Sequence, residues 1–421
     1  MEMKEPGERG SKKSQCSVAV FSPQLATIFL ILNFTHFRHF KLEILNSMKY
    51  YVLAGEASGD LHASNLIKEI HQIDPKAQFR GFGGDLMEKV GMTVLKHYRD
   101  MAFMGIVPVI MNIRTIKKNF QFCEQDLLAF KPDVLILVDY PGFNLRMARF
   151  AKAHGIKTFY YISPKVWAWK EKRVHRILKY VDEMFTILPF ETEFFAKYNY
   201  PVNYVGNPLP DAILESKREP DFTKLWSENK LLQKPILALL PGSRKGEISV
   251  LLPTMIKAAQ AFPEYQIVIA GAPNMGLEFY QPYMNGLEVP ILWGKTYEIL
   301  THSRVAIVSS GTAVLETAIM NVPQVVVYQL TPNWLFIFLK KFFLKTRFVT
   351  LVNIILGREA IVELIQADFT LKKVVHELQR IINDPENEKR MLNDYKDMMV
   401  KLGEPGASKR AARLMVEKLK R

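Results

Sequence analysis

The sequence predicts an α/β protein built as two doubly wound, Rossmann-like domains that face each other across a cleft. Three observations carry this. Short apolar runs alternate with helix-period stretches, the signature of βαβ units on a parallel sheet. The alternation lapses in a polar stretch at 211–234 and restarts at Ile236. The residues that look chemically active gather in turns directly after strands, where ligands of such sheets bind.

In the first half, strands are expected at 49–54, 79–82, 134–138, 157–162, 184–188 and 202–205. Each is a brief apolar run, and Val134 to Val138 is apolar throughout, as a strand buried on both faces requires. Helices are expected between them at 60–72, 84–90, 106–130, 144–154, 170–181 and 190–198. After the polar link, strand 236–240 leads into helix 248–262 and strand 265–270, and then helix 296–302, strand 304–308, helix 312–320 and strand 324–329. The stretches from Leu371 to Ile382 and Glu386 to Lys420 read as helical. The expected division is an extension over 1–47, a first domain over 48–212, a second over 213–385, and C-terminal helices over 386–421 that pack back on an N-terminal domain.

A chain of 421 residues is too long for one core and suits two domains. Its 48% apolar and 23% charged content is ordinary for a globular protein. The net charge of +14 points to an anionic partner. Residues 1–47 carry six Lys/Arg and four Asp/Glu, so the body keeps 14 − 2 = +12. The extension's apolar run, Ala26 to Phe34, is too short for a membrane span, and Met48 precedes the first strand directly. Two cysteines, Cys16 and Cys123, make no disulfide framework and suit a reducing cytoplasm. No Cys/His spacing suggests a metal.

Five turns follow strands. Residues 55–60 read GEASGD, in which Gly55 and Gly59 permit close backbone approach and Ser58 and Asp60 are candidate caps for the next helix. It is not a dinucleotide fingerprint, and a structural turn fits it as well as a ligand loop. Asp139 ends a buried strand, where a carboxylate facing the cleft suits a general base. The competing role, capping the next helix, falls more naturally to Asn144. The run from Tyr160 to Lys170 carries Trp167 and Trp169, which either pack the cleft wall or stack on a ligand. Gly242, Ser243 and Arg244 open a helix with donors and a planar fork for phosphate oxygens, without a Walker ending. Ser309, Ser310, Gly311 and Thr312 lead into another helix N-terminus, and Glu316 lies one turn in, where a carboxylate suits ribose hydroxyls. Together the last two turns read as a nucleoside diphosphate site.

These residues converge on a family. The sequence resembles the lipid-A-disaccharide synthases, inverting glycosyltransferases of the GT-B fold. The likeness runs through GEASGD (55–60), FRGFGG (79–84), MGIVPV (104–109), VDYPGFN (138–144), YISPKVWAWK (161–170), LPFE (188–191), VGNPL (205–209), LLPGSRKGEI (239–248), SSGTAVLE (309–316) and LVNIILGREAIVELIQ (351–366). The sequence departs from the family pattern at Asn207, where a His is expected, and residues 1–47 have no counterpart. The resemblance implies transfer of a sugar from UDP-2,3-diacylglucosamine to 2,3-diacylglucosamine 1-phosphate, giving a β(1→6)-linked disaccharide 1-phosphate and UDP. It implies Asp139 as the base and places Arg244 and Asn353 at positions associated with activity; Glu56, Ser58 and Asn144, in the turns beside Asp139, are further candidates for substrate binding. Gly242, Ser243, Gly311, Thr312 and Glu316 fall in the UDP site. No cofactor, metal or nucleic acid is implied, and a homodimer is allowed. Rival readings are a sugar-nucleotide 2-epimerase, another lipid-linked transferase, or a non-catalytic membrane-surface binder.

Acylated substrates require contact with a bilayer. Met104, Ile106, Val107, Val109 and Ile110, with Arg114 and Lys117, form an apolar segment whose charges are all basic, the pattern of an interfacial helix. Trp334 to Phe348 repeats it. Neither run reaches the ~20 residues of a span, so the expectation is a cytoplasmic protein held peripherally on the anionic phospholipid of the inner membrane.

Overall fold

The computed structural model describes residues 47–101, 111–168, 171–216, 225–229, 231–273, 275–284, 286–329 and 347–420. The first sheet has seven strands in the order β3-β2-β1-β4-β5-β6-β7. They are β1 (Lys49–Ala54), β2 (Gln78–Gly83), β3 (Thr93–His97), β4 (Val134–Val138), β5 (Lys157–Tyr161), β6 (Glu183–Thr186) and β7 (Asn203–Tyr204). Its helices are α1 (Ala57–Ile73), α2 (Asp85–Lys89), α3 (Ile113–Phe130), α4 (Pro141–Ala153), α5 (Val174–Tyr180) and α6 (Phe190–Ala196). Every pairing in this sheet is parallel.

The side-chain period of two explains the unbroken apolar run of β1. Tyr50, Val52 and Ala54 enter one core with Ala63, Leu66, Ile67 and Ile70 of α1. Tyr51 and Leu53 enter the opposite core with Phe120, Cys123 and Leu127 of α3 and Met147, Ala148 and Ala151 of α4. The strand is therefore covered on both faces.

Two helices interrupt the stretch that the sequence marks as a polar link: α7 (Leu209–Ser216), which runs into it, and α8 (Leu225–Glu228), which lies inside it. The second sheet follows in the order β10-β9-β8-β11-β12-β13, again all parallel. In chain order its elements are β8 (Ile236–Leu240), α9 (Lys245–Ala259), β9 (Gln266–Gly271), α10 (Leu277–Tyr280), β10 (Ile291–Trp293), α11 (Thr296–Thr301), β11 (Ser303–Ser309), α12 (Thr312–Ile319), β12 (Gln324–Tyr328), α13 (Leu351–Leu356) and β13 (Glu363–Ile365). In both sheets the order reverses next to the first strand, between β1 and β4 and between β8 and β11, which places a crevice at the carboxyl ends of those strands.

The chain ends in α14 (Leu371–Asn383), α15 (Pro385–Leu402) and α16 (Ala407–Lys420). The sequence reading sends all of 386–421 to an N-terminal domain, and here the structure differs. Met391, Tyr395, Met398 and Leu402 of α15 belong to the second core, whereas Ala411, Ala412, Met415 and Val416 of α16 belong to the first. The break is made at Gly403 and Gly406, whose φ values of 78° and 98° suit glycine. Asp211 fixes the crossing by accepting from the backbone N–H of Gly406 at 2.5 Å and of Ser408 at 3.0 Å. Arg410 Nε donates to the Val205 carbonyl at 2.8 Å.

Candidate active site

β4 delivers Asp139 through a strained turn. Asp139 has φ 43° and Tyr140 φ 45°, two consecutive left-handed non-glycine residues. Such conformations cost on the order of 1–3 kcal/mol each and persist only when their surroundings enforce them. Three contacts do so. The Asp139 N–H donates to the Tyr161 carbonyl at 3.3 Å. The Tyr160 hydroxyl donates to the Asp139 carbonyl at 2.5 Å. Asn144 Nδ2 donates to the carbonyls of Asp139 at 2.7 Å, Val138 at 3.2 Å and Leu53 at 3.4 Å. This corrects two readings of Asn144. The helix begins at Pro141 with Tyr140 as its N-cap, so Asn144 caps nothing. It is also fully buried, so it braces the strand end rather than meeting substrate.

The GEASGD turn lies beside this one. A Cβ on Gly55 would come within 2.3 Å of the Tyr140 ring, so only glycine fits. Helix α1 begins at Ala57 with Glu56 as N-cap and no side-chain cap bond. Ser58 sits exposed in the first turn. Asp60 does not cap its own helix. Its carboxylate accepts from the N–H groups of Gly84 at 2.9 Å, Leu86 at 3.1 Å and Met87 at 3.1 Å, and so caps α2. Asp60 is thus structural, and Glu56 is left facing the site.

Electrostatics bring four groups together. Burial raises the Glu56 carboxyl above its ordinary value, and the nearby Asp139 raises it further, against Arg244 and Lys165. Burial likewise raises Asp139, opposed by Lys165 and by the Tyr140 N–H. Glu56, Asp139 and Lys165 stand at carboxyl ends of the first sheet, whereas Arg244 belongs to the second. The two domains therefore address one space.

On the second domain, Arg244 is the N-cap of α9 and its Nη1 lies 3.2 Å from Glu247 Oε1. Gly242 has φ 110°, and a Cβ there would meet Glu247 Oε2 at 2.6 Å and the Ser309 hydroxyl at 3.4 Å. Ser309 is buried at the end of β11 and its hydroxyl has no partner among the described residues, a polar atom close to the same turn. Ser243 is exposed next to Arg244. Gly311 is the N-cap of α12, with Thr312 its first residue. Glu316 is raised by burial and held by the Tyr297 hydroxyl, which donates to its Oε1 at 2.8 Å. Its other oxygen carries no hydrogen bond among the described residues.

Asn353 departs from the expectation of substrate contact. It is fully buried. Its Nδ2 donates to the Ile361 carbonyl and to Glu363 Oε1, both at 2.9 Å. Its Oδ1 accepts from the N–H of Ala360 at 2.8 Å and of Ile361 at 3.1 Å. Two donors and two acceptor sites are all that an amide has. Asn353 fastens α13 to the run into β13 and has nothing left to offer a ligand.

Trp167 packs rather than stacks. Its ring meets Phe190 edge-on at 4.8 Å, and its Nε1 donates to Glu191 Oε1 at 3.3 Å. The other Glu191 oxygen accepts from the N–H of Ile187 at 3.2 Å and of Leu188 at 3.0 Å. Burial pushes this carboxyl up to about 7 against those three donors. Trp169 lies outside the described residues.

Of the membrane-facing set, Met104, Ile106, Val107, Val109 and Ile110 lie outside the described residues, as does most of 334–348. Arg114 and Lys117 are described, and both are exposed on α3. They stand beside Ile113, 61% exposed, and Met111, 79% exposed. Among the described residues no helix is long and apolar enough to cross a membrane.

Residues 50–417 match the family described as lipid-A-disaccharide synthetase. The lipid-A-disaccharide synthase of Myxococcus xanthus is 38% identical over 384 residues, covering 89% of this chain and 98% of that protein. That of Geobacter sulfurreducens is 34% identical over 379 residues, covering 89% and 98%. Among solved structures, the UDP-GlcNAc 2-epimerase from Neisseria meningitidis bound to UDP-GlcNAc is similar with a TM-score of 0.64 at 13% identity, covering 89% of this chain and 100% of that one. The calicheamicin glycosyltransferase CalG4 gives 0.54 at 15%, covering 90% and 99%. Likenesses at such low identity speak for the fold alone, the GT-B arrangement of two Rossmann-like halves. The family is settled by the match over nearly the whole of 48–421 and by its relatives: this chain is a glycosyltransferase of the lipid-A-disaccharide synthase family.

Proposed function

We propose that the protein transfers the 2,3-diacylglucosaminyl group of UDP-2,3-diacylglucosamine to the 6-hydroxyl of 2,3-diacylglucosamine 1-phosphate. The observation that carries this is the convergence of Asp139 and Glu56 from the first domain with Arg244 from the second. Asp139 takes the proton of the acceptor hydroxyl as its oxygen attacks the anomeric carbon. The bond to the diphosphate breaks on the opposite face, which inverts the centre and gives the β(1→6) linkage. General-base help of this kind is worth ~10²–10⁴-fold. Charge developing on the departing UDP falls on Arg244 and on the N-termini of α9 and α12. Glu316, oriented by Tyr297, receives the ribose hydroxyls. Asn144 and Asn353 act through other residues, by holding the Asp139 turn and the α13–β13 connection.

The basic, partly apolar face of α3 supports seating on the anionic phospholipid of the inner membrane from the cytoplasmic side. The test of the reaction is UDP release in detergent from the acylated UDP-sugar, with and without the acylated sugar phosphate. Acceptor-dependent release with formation of a disaccharide is expected. Release or epimerisation of UDP-GlcNAc without any acyl acceptor would replace this reading with the epimerase one.

A further inference from the structure

One cation of the site is unclaimed by the mechanism above. β5 runs beside β4 with Val138 opposite Tyr161, so the chain leaves both strands at neighbouring points. Ile162, the first residue past β5, has φ 64°, a rare conformation for a β-branched residue. Its N–H is held by the Phe185 carbonyl at 3.1 Å. The turn that follows is pinned on both sides of a single projecting residue. Ser163, Pro164, Val166 and Trp167 are buried, and Lys165 between them is exposed. The Trp167 bond to Glu191 closes the far end of the turn. Lys165 thus emerges from a rigid base next to Asp139. Its charge acts on both Glu56 and Asp139, yet it forms no ion pair or side-chain hydrogen bond among the described residues.

The second domain supplies its own cation and helix termini for the diphosphate of the donor. Lys165 is on the other domain, on the side of the base, where the acceptor must lie. In a hexopyranose, C1 and C5 flank the ring oxygen, and C5 carries C6 with its hydroxyl. A phosphate on C1 and a hydroxyl on C6 therefore leave the same edge of the sugar. We propose that Lys165 is the acceptor-phosphate site, a point charge that receives the 1-phosphate while Asp139 addresses the 6-hydroxyl of the same ring. This rests on the reaction proposed above. An ammonium on a flexible stem suits a phosphate monoester, whose oxygens offer no fixed planar fork.

The test uses the full chain in detergent with UDP-2,3-diacylglucosamine and two acceptors, 2,3-diacylglucosamine 1-phosphate and the same sugar with a free 1-hydroxyl. The native enzyme should prefer the phosphate. Lys165→Met should raise KM for the phosphorylated acceptor by ~10–100-fold, the scale of one charge-assisted hydrogen bond, and so close the gap between the two acceptors. Lys165→Arg should restore most of the preference. An undiminished preference in Lys165→Met overturns the assignment. So does a raised KM for the UDP-sugar alone, which would give Lys165 to the donor diphosphate. A shift in the acid limb of the pH profile with KM unchanged also overturns it, by making Lys165 a tuner of Asp139. Native enzyme that releases no UDP with either acceptor removes the reaction itself and this site with it, a result distinct from a loss confined to the variant.

Discussion

The Tyr160 hydroxyl lies 2.5 Å from the main-chain carbonyl of Asp139 and donates to it. Tyr160 belongs to the neighbouring strand and is fully buried. The same carbonyl also accepts from Asn144 Nδ2 at 2.7 Å. Two side chains from different elements thus hold the peptide of one strained residue. The left-handed backbone at Asp139 is enforced from outside, and it turns the carboxyl out of the sheet. Backbone strain stored beside a half-buried carboxylate adds to strand-end position as support for the role proposed for this turn.

Asp139→Asn should lower kcat by ~10²–10⁴-fold, the usual worth of a positioned base, and leave the circular dichroism spectrum intact. Burial raises the Asp139 carboxyl, so the native state binds its proton more readily than the unfolded chain does. Stability contributed by this group is therefore present at low pH and is lost as pH rises through the raised value. The Asn variant should melt no lower than the native protein at neutral pH. A native-like rate in the variant would require another base, with Glu56 next in line.

Glu191 gives the second prediction. Its carboxyl is pushed up to about 7 by burial. Between the ordinary carboxylate range and that value, the folded state holds a proton that the unfolded state releases. Denaturant midpoints should therefore fall as pH rises from about 4.5 to about 7, and Glu191→Gln should flatten that slope. Glu191→Ala strands the Trp167 N–H and two backbone N–H groups. It should cost at least about 1–3 kcal/mol, the penalty of a single unsatisfied buried donor.

Much of this was legible in the sequence, for identifiable reasons. Runs such as Val134 to Val138 and Ile236 to Leu240 are buried on both faces, so they are apolar throughout and stand out. The edge strands β3, β10 and β13 were missed because they need no such run, whereas the edge strand β7 was expected at 202–205. β3 reads Thr93-Val94-Leu95-Lys96-His97, none of it fully buried, and β13 spans three residues. The charged members of the site could be read because strand-end position exposes them. What the sequence does not carry is direction. Asp60 and Glu56 are equivalent candidates on paper, and only the fold shows Asp60 spent on α2. Nothing in a one-dimensional pattern tells that Tyr160 reaches Asp139, or that Tyr297 reaches Glu316 from nineteen residues away. A buried tyrosine hydroxyl needs a partner, and that need is the one signal that could have raised the question.

Asn353 separates positioning from contact. Asn353→Ala frees two backbone N–H groups, the Ile361 carbonyl and one Glu363 bond. Activity and melting temperature should fall together, with UDP binding weakened in proportion to the loss of folded protein. If the variant melted as the native protein does and lost only turnover, a direct role in the reaction would replace the positioning role.

Tyr297→Phe tests the nucleotide side. The hydroxyl holds Glu316 Oε1 at 2.8 Å, and Oε2 is the oxygen that the proposed reading gives to the ribose. Without it the carboxylate is buried with no partner among the described residues. UDP affinity measured by calorimetry should drop by roughly 10–100-fold, the worth of one hydrogen bond to a charged group. Glu316→Ala should lose more, because it removes the ribose acceptor as well as its orienting bond. Equal UDP affinity in all three proteins would move the ribose elsewhere.

The exposed face of α3 sets the last prediction. Arg114 and Lys117 point to solvent beside Met111 and Ile113, two large apolar residues that a water-facing helix has no reason to expose. Near an anionic leaflet each basic residue contributes about 1 kcal/mol, and the contribution fades with salt. The pair Arg114→Glu and Lys117→Glu should weaken binding to phosphatidylglycerol vesicles by at least about tenfold, since two favourable charges become two repelled ones. Vesicles of neutral phosphatidylcholine should bind both proteins alike. Turnover in detergent micelles, where no charged surface must be found, should remain near native. Charge and chemistry are then separable: a variant that loses vesicle binding yet keeps its micellar rate places α3 at the membrane. One that binds anionic vesicles as well as the native protein does would leave this face without a membrane role.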